Sequence, residues 1–246
     1  MVIDLNKCVG CHACTIACKA EWEVPADEGR NWVHRLGPEK TKLGMASTYY
    51  VGLCNHCDKP VCVDVCPAKK TEKTFTNPET KETVTLTVAA TYKDPFNGTV
   101  QIDKERCLGC GACAKACPYE ARYVKRTLEN GKIRRKADKC TYCVDRVAQG
   151  LQPACVQTCL AGARIFGDLT DPKSEVAQYV KKGAVGLTSP AVQLGPNSRL
   201  YGSEKDMSLV KKQAPKTLPK VNVSKRELLS ELLDSAREQV ESIFRI

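Results

Sequence analysis

Sixteen cysteines, arranged in four groups of four, constrain this chain of 246 residues more than any other feature. Every group opens with C-x-x-C and closes with C-x-x-x-C, and no cysteine is left over. A disulfide framework is typical of short secreted chains, and scattered core cysteines would show no regular spacing. We therefore expect the thiols to bind metal. The groups are Cys8, Cys11, Cys14, Cys18; Cys54, Cys57, Cys62, Cys66; Cys107, Cys110, Cys113, Cys117; and Cys140, Cys143, Cys155, Cys159.

The two compact groups, CVGCHACTIAC and CLGCGACAKAC, favour iron–sulfur clusters over zinc. A tetrahedral zinc site takes two cysteines from each of two knuckles, and a third cysteine two residues further on adds nothing. A [4Fe–4S] cubane can be held at three corners by C-x-x-C-x-x-C, and in two-cluster ferredoxins the next cysteine ligates the other cluster. We therefore expect Cys117 to leave the cluster that Cys107, Cys110 and Cys113 hold. A zinc-binding structural or nucleic-acid module is the alternative, and metal analysis decides between the two.

The basic charge balance fits buried anionic clusters better than nucleic-acid binding. The formal net charge is +10 with neutral thiols. An oxidised cubane with four thiolates carries about −2, so four of them would bring the total to roughly +2. We therefore interpret the excess of lysine and arginine as compensation for the clusters.

The order of the groups indicates an internal duplication. The first and third groups are compact, whereas the second and fourth are spread out. Each compact group follows a short strand-like segment that carries an acidic residue, MVIDLNK or GTVQIDKER. The repeat unit therefore holds two groups. We expect a helix to begin after each C-x-x-x-C, as in CPYEARYV and CLAGARIF.

The connecting segments differ in character. The alternation in ETVTLTVAATY predicts a strand in a surface hairpin. The other expectations are a loop-rich insertion over residues 19–53, a turn at Asn130–Gly131, a short helix over residues 173–182 and an extended linker over residues 203–222.

The last segment, SKRELLSELLDSAREQVESIFRI, predicts an amphipathic helix. Ser224 and Glu227 have the spacing of a capping box, and apolar residues recur on one helical face. Packing on its own domain and docking on a partner subunit are both open readings of this helix. No apolar run approaches the length of about 18 residues that a transmembrane helix needs, and we see no twin-arginine or hydrophobic leader.

Catalytic constellations are not recognisable in the sequence. There is no Ser/His/Asp set, no glycine-rich phosphate loop and no pair of carboxylates in a catalytic context. His12 and His56 lie inside C-x-x-C loops and could touch a cluster edge, but thiolates would already saturate the iron. Trp22 and Tyr142 are expected to pack around clusters. We therefore predict a non-catalytic chain.

Four stretches carry a resemblance to a known family. They are CVGCHACTIACK, LCNHCDKPVCVDVCPA, CLGCGACAKACPYEARYV and KCTYCVDRVAQGLQPACVQTCLAGARIFGDLTDPKS. With its cysteines in this order, the chain resembles the four-cluster electron-transfer subunit of the DMSO reductase family of molybdenum or tungsten enzymes. The resemblance covers residues 2–170. The last stretch looks closest to the subunits of tetrathionate, polysulfide, thiosulfate and arsenate reductases.

The resemblance implies an α+β fold of two interleaved bacterial-ferredoxin-like domains, each for two [4Fe–4S] clusters, with long loop insertions and a C-terminal helical tail. The implied divisions are domain A, residues 1–53 with 140–170; domain B, residues 54–139, which includes the insertion 67–106; and an extended tail with the amphipathic helix, residues 171–246.

The resemblance also implies which cysteines share a cluster. Each compact loop would borrow its fourth ligand from another group, and with all sixteen cysteines present no three-iron cluster is expected. The implied ligands are Cys8, Cys11, Cys14 and Cys159 for cluster 1; Cys140, Cys143, Cys155 and Cys18 for cluster 2; Cys54, Cys57, Cys62 and Cys117 for cluster 3; and Cys107, Cys110, Cys113 and Cys66 for cluster 4.

The implied function is the passage of single electrons through these clusters in anaerobic-type respiration. The partners would be a large molybdenum- or tungsten-bisPGD (molybdopterin) catalytic subunit, nearest cluster 1, and a quinone-linked membrane anchor or other redox carrier, nearest cluster 4. A partner's twin-arginine signal would carry the folded chain to the periplasmic or outer face of the membrane, with a cytoplasmic location as the alternative. The alternative function is a polyferredoxin-type subunit of a hydrogenase or formate dehydrogenase.

Overall fold

The computed structural model describes residues 1–129 and 132–219. The strands are β1 Val2–Asp4, β2 Asn31–Thr41, β3 Gly44–Leu53, β4 Thr71–Thr76, β5 Thr83–Val88, β6 Thr91–Lys93, β7 Val100–Ile102, β8 Tyr123–Glu129, β9 Lys132–Asp138, β10 Arg164–Ile165 and β11 Arg199–Tyr201. The helices are α1 Ala13–Trp22, α2 Val61–Asp64, α3 Ala112–Lys115, α4 Val144–Val147, α5 Ala154–Gln157, α6 Glu175–Lys181 and α7 Glu204–Val210. Small sheets and short helices make this a mixed α and β fold.

The described chain forms two compact units. The first unit combines Met1–Lys59 with Cys140–Thr217, and the second contains Pro60–Lys139. The interleaved arrangement of two ferredoxin-like domains implied by the resemblance stays a prediction.

A three-stranded sheet organises the first unit. β1 lies at its centre, antiparallel to β10 and parallel to β11. Val2, Ile165 and residues of α6 pack into one buried cluster on this sheet. Ser174 caps α6, because its side chain accepts a hydrogen bond from the Ala177 amide. The strand expected before the first cysteine group and the short helix expected over residues 173–182 are both confirmed.

A long hairpin, β2–β3, occupies residues that the sequence predicted to be loop-rich. The prediction is wrong for residues 31–53, where Asn31 pairs with Leu53 and the ladder extends to Thr41 and Gly44. The side chain of Trp32 lies directly over Gly52: a Cβ at Gly52 would lie 2.2 Å from the Trp32 ring. The absence of a side chain at Gly52 therefore leaves the space that the indole of its paired residue, Trp32, occupies.

Helix α7 lies where the sequence predicted an extended linker. The Ser203 side chain accepts a hydrogen bond from the Asp206 amide and caps the helix. Met207, Leu209 and Val210 are buried, and the helix contacts β2 and β3. Residues 204–210 are therefore helical because the hairpin provides an apolar surface for them.

Three antiparallel hairpins make up most of the second unit: β4–β5, β6–β7 and β8–β9. The strand expected in ETVTLTVAATY is confirmed as β5, and the strand-like lead of the third cysteine group is β7. The predicted turn at Asn130–Gly131 and the amphipathic helix predicted from Ser224 lie outside the described residues.

The short helices lie within the cysteine groups rather than after them. α1, α3 and α5 contain the third cysteine of the first, third and fourth groups. The segments after Cys117 and Cys159 form strands β8 and β10. The expectation of a helix after each C-x-x-x-C is therefore wrong for these two groups. Among the described residues, no helix is long and apolar enough to cross a membrane.

Candidate iron–sulfur centres

The two compact cysteine loops are built in the same way. Asp4 ends β1, its carboxylate accepts a hydrogen bond from the Asn6 amide, and its carbonyl accepts one from the Cys8 amide. Asp103 follows β7, and its carbonyl accepts a hydrogen bond from the Cys107 amide at 3.0 Å. The acidic residues noted in the two lead segments are therefore the turn formers that direct the chain from a strand into a ligand loop.

One cavity of the first unit, cavity A, brings together cysteines that are distant from one another in the sequence. Its thiols are Cys8, Cys11, Cys14 and Cys159. Gly10 fits between the first two because its backbone is left-handed (φ +68°), and a Cβ there would lie 2.2 Å from the Tyr49 ring. The Ala163 amide donates to the Cys159 sulfur at 3.3 Å.

A second cavity of the same unit, cavity B, is more deeply buried. Its thiols are Cys18, Cys140, Cys143 and Cys155, and all four are buried. Three N–H groups point at their sulfur atoms. Trp22 Nε1 donates to Cys143 at 3.3 Å, the Tyr142 amide to Cys140 at 3.4 Å and Arg164 Nη1 to Cys155 at 3.5 Å. Trp22 and Tyr142 line this cavity, as expected of side chains that pack around a cluster.

The third cysteine group of the chain lies in the second unit, close to Cys66. Burial raises the pKa of the Cys110 thiol, and Cys113, Cys107 and Cys66 raise this pKa further. The loop is anchored to β9, because the Ala137 amide donates to the Cys107 sulfur at 3.3 Å. These four thiols therefore lie within electrostatic reach of one another.

The remaining cysteines divide between the two units. Cys54 and Cys57 belong to the first unit, and Cys62 and Cys117 to the second. Cys62 packs with Val100 in a buried cluster of the second unit. The ligand set of cluster 3 stays a prediction.

Burial makes the thiolate forms of Cys18, Cys140 and Cys155 unfavourable, because it raises the pKa of each thiol. Desolvation, and then the neighbouring Cys155 and Cys143, raise the pKa of Cys18 to about 12. Desolvation likewise raises the pKa of Cys140 well above its usual value. Thiolates at these positions therefore need a cationic metal centre to compensate them.

The donor set fits [4Fe–4S] clusters. None of the sixteen cysteines, all of which lie in the described part of the chain, forms a disulfide. Four of them surround each of cavities A and B, and N–H groups point at several sulfur atoms. Such N–H···S contacts are one of the means by which a protein tunes cluster potential. The cavities therefore offer thiol ligands together with N–H donors.

A stacked pair of rings connects two C-x-x-C loops of the first unit. His56, between Cys54 and Cys57, stacks on Tyr142 with ring centroids 3.8 Å apart. His56 Nε2 lies 3.1 Å from the Cys140 carbonyl oxygen. Both residues have left-handed backbones, φ +43° and +57°. The sequence indicated that His56 could touch a cluster edge without ligating iron; in the structure its ring forms a contact between two cysteine loops.

Two arginines at the cavities were missed by sequence reasoning. Arg164 lines cavity A and contacts Cys155 of cavity B. Arg30 lines cavity B and lies over the Trp22 ring at 4.7 Å. The only local signal for Arg164 was a charged residue between two apolar ones, Ala163 and Ile165, in a short strand.

Comparison with known proteins agrees with this chemistry. The 4Fe-4S dicluster domain family matches residues 45–169, about half of the chain, and a 4Fe-4S binding domain matches residues 5–21. The chain is 38% identical over 200 residues to a tetrathionate reductase subunit of Salmonella typhimurium, covering 80% of this chain and 69% of the relative. It is 35% identical over 208 residues to a polysulfide reductase chain of Wolinella succinogenes, covering 81% and 94%. It is 33% identical over 239 residues to the arsenate respiratory reductase iron-sulfur subunit of a Shewanella species, covering 80% and 92%.

Proposed function

This protein belongs to the 4Fe-4S dicluster family of reductase iron–sulfur subunits, and from that premise we propose that it conducts single electrons through four [4Fe–4S] clusters. Its partners are a large molybdenum- or tungsten-containing catalytic subunit and a quinone-linked membrane anchor or other redox carrier. The observation that carries the proposal is the gathering of thiols distant in sequence: Cys159 joins the first cysteine group at cavity A, and Cys18 joins the fourth at cavity B.

The proposed ligand sets follow the same crossed scheme. Cavities A and B support the sets of clusters 1 and 2, and the electrostatic neighbours of Cys110 support the set of cluster 4. The count of four is supported by sixteen thiols with none left over, because each cubane takes four. The set of cluster 3 rests on the resemblance alone.

The protein's own residues bind the clusters, exclude water and hold their spacing. When bound, the clusters supply one-electron transfer, and the protein tunes it through ligation, hydrogen bonds and burial. The thiols of cavity B are all buried. The Trp22 indole, the Tyr142 amide and the Arg164 guanidinium donate to their sulfur atoms. These donors withdraw negative charge from the thiolates.

An exposed apolar surface beside cavity A supports contact with a partner there. Val9 is 56% exposed, Ile16 65% and Leu160 74%. Val9 and Leu160 directly follow ligands of cluster 1, Ile16 lies two residues after a third, and Cys11 itself is exposed. Exposed apolar groups of this kind are typical of interaction sites. We therefore propose that the catalytic subunit covers this surface, so that electrons enter or leave through cluster 1, and that the anchor or carrier meets cluster 4.

The site of action is proposed from the resemblance only. The folded complex would work at the periplasmic or outer face of the membrane, exported with a partner that carries a twin-arginine signal. A cytoplasmic location is the alternative.

Ligand substitution tests the crossed scheme. In the purified complex, Cys8→Ser and Cys159→Ser should alter the same electron paramagnetic resonance (EPR) signal, whereas Cys155→Ser should alter a different one. Wild type should contain sixteen irons per chain if each of the sixteen thiols serves a cubane. Thr158→Ser, next to Cys159, is the matched control and should leave all signals unchanged. Separate signals for the Cys8 and Cys159 variants would refute the scheme.

Co-purification separates the two functions left open by the sequence. A stable complex with a large pterin-binding chain supports the proposal. Isolation as a soluble carrier, or with a hydrogenase, supports the polyferredoxin-type alternative, and so does a pterin-binding partner chain that oxidises formate.

A further inference from the structure

Arg164 places a buried positive charge beside both thiol cavities of the first unit. It is 4% exposed and lies on β10, which pairs with β1. Its guanidinium lines cavity A, and its Nη1 donates to the sulfur of Cys155, a cavity B thiol, at 3.5 Å. The same side chain therefore faces two different ligand sets.

The contacts of Arg164 do not neutralise its charge. Nη2 donates to the amide oxygen of Asn31 at 3.2 Å, and Nη1 lies 3.8 Å from the Met1 sulfur. Among the described residues, the salt bridges do not include Arg164. A buried cation without a carboxylate is costly. Anionic groups in the cavities would compensate it.

The protonation of Arg164 is secure. An arginine guanidinium is not deprotonated in proteins, because its pKa is above about 12. The charge is therefore fixed, and the side chain takes up or releases no proton during electron transfer.

We propose that Arg164 is a positioning residue whose charge raises the reduction potentials of clusters 1 and 2 together. The inference rests on the proposed function. One electron entering either cluster adds one negative charge, with no bond broken and no proton moved. A nearby cation in a poorly solvated site favours that reduced state. Because one guanidinium faces both ligand sets, its removal should lower both potentials, while clusters 3 and 4 should keep theirs.

An EPR-monitored redox titration of the purified complex tests this inference. In Arg164→Gln, we expect the equilibrium constant for one-electron reduction of two clusters to fall at least tenfold, which corresponds to about 59 mV. Arg164→Lys keeps the charge and should stay within threefold of wild type. Arg35→Gln removes an exposed arginine of β2 and serves as the control, with all potentials within twofold.

A second variant covers the case in which Arg164→Gln fails to bind its clusters. Asn31→Asp is nearly isosteric and puts a carboxylate on the guanidinium, so it cancels the local charge without removing the arginine. It should lower the same two potentials at least tenfold.

Three results would overturn the inference: unchanged potentials in both the Gln and Asp variants, equal shifts of all clusters, or a shift in Arg164→Lys as large as that in Arg164→Gln. Failure of the proposed function is seen separately, as a wild-type chain with far fewer than sixteen irons.

Discussion

Gly109 is the glycine whose replacement should most directly dislodge a ligand loop. It lies between Cys107 and Cys110 with φ +68°. A Cβ at this position would lie 2.2 Å from the Arg135 carbonyl oxygen of β9 and 2.7 Å from its carbonyl carbon. Real Cβ atoms essentially never approach within 3.0 Å. Gly109→Ala must therefore push the loop away from β9.

The cost of Gly109→Ala has three parts. A left-handed backbone costs a non-glycine residue about 1–2 kcal/mol, and relief of the overlap costs about 1–3 kcal/mol. Separation of the loop from β9 also loses the hydrogen bond from the Ala137 amide to the Cys107 sulfur, worth about 0.5–1.5 kcal/mol. We expect a total of about 2.5–6.5 kcal/mol, which is large for one substitution.

Gly98→Ala is a control that isolates the overlap. Gly98 has φ +66°, and a Cβ there would meet only Lys93 Cε at 4.0 Å. The free energy of unfolding of this variant should therefore fall by the backbone cost alone, about 1–2 kcal/mol.

The assay is the rate at which an iron chelator removes iron from the purified complex, together with the iron content. A difference of about 2 kcal/mol corresponds to roughly 30-fold faster release from the Gly109 variant than from the Gly98 variant. Equal iron content and equal release rates in the two variants would refute the reasoning, because the contact with Arg135 would then have no energetic effect.

Three further outcomes follow from the described contacts. Tyr142→Phe removes a hydroxyl that lies 2.6 Å from Ser198 Oγ. Loss of this hydrogen bond should lower the free energy of unfolding by about 0.5–1.5 kcal/mol. The temperature at which cluster absorbance bleaches should therefore fall, and an unchanged temperature would contradict this. Tyr179→Phe removes a 2.9 Å hydrogen bond to the Asp4 carboxylate. Burial raises the pKa of Tyr179 in the folded protein. The unfolded chain therefore loses the phenolic proton first, and the free energy of unfolding falls as pH rises above about 10. The Tyr179→Phe variant should lack this fall with pH, whereas Tyr201→Phe should retain it. Removal of iron by ferricyanide and EDTA should abolish cooperative thermal unfolding in circular dichroism, because the small sheets bury little apolar surface without clusters; a sharp transition in the iron-free chain would argue against this.

The ligand loops could be predicted from the sequence because their information is local. The cysteine spacing and the acidic residues of MVIDLNK and GTVQIDKER determine the backbone only a few residues away. Strands β1 and β7 lie in these two segments, as predicted. The predicted duplication also agrees with the structure, because the segments before the first and third cysteine groups form the same turn around Asp4 and Asp103.

The elements that were missed depend on distant partners. Strand β2 contains Gly37 and Pro38 where the pairing register shifts between Leu36 and Glu39, and charged residues follow them. The composition of this segment is therefore typical of a loop, although the two strands pair. Helix α7 has only a weak local pattern among lysines and prolines, and the hairpin supplies the surface that stabilises it. The position of Arg164 beside both cavities follows from the pairing of β1 with β10, which no local pattern encodes.

The central place of β1 in its sheet has a consequence for biosynthesis. Its partners are Arg164 and Ile165 on one side and Arg199–Tyr201 on the other. At about 5–20 residues per second, a ribosome needs roughly 10–30 s after making β1 to reach its first partner. During that interval the thiols that follow β1 have no sheet to hold them. Loading of iron into the first unit should therefore follow synthesis of both partner strands, and the cell must keep these thiols reduced until then.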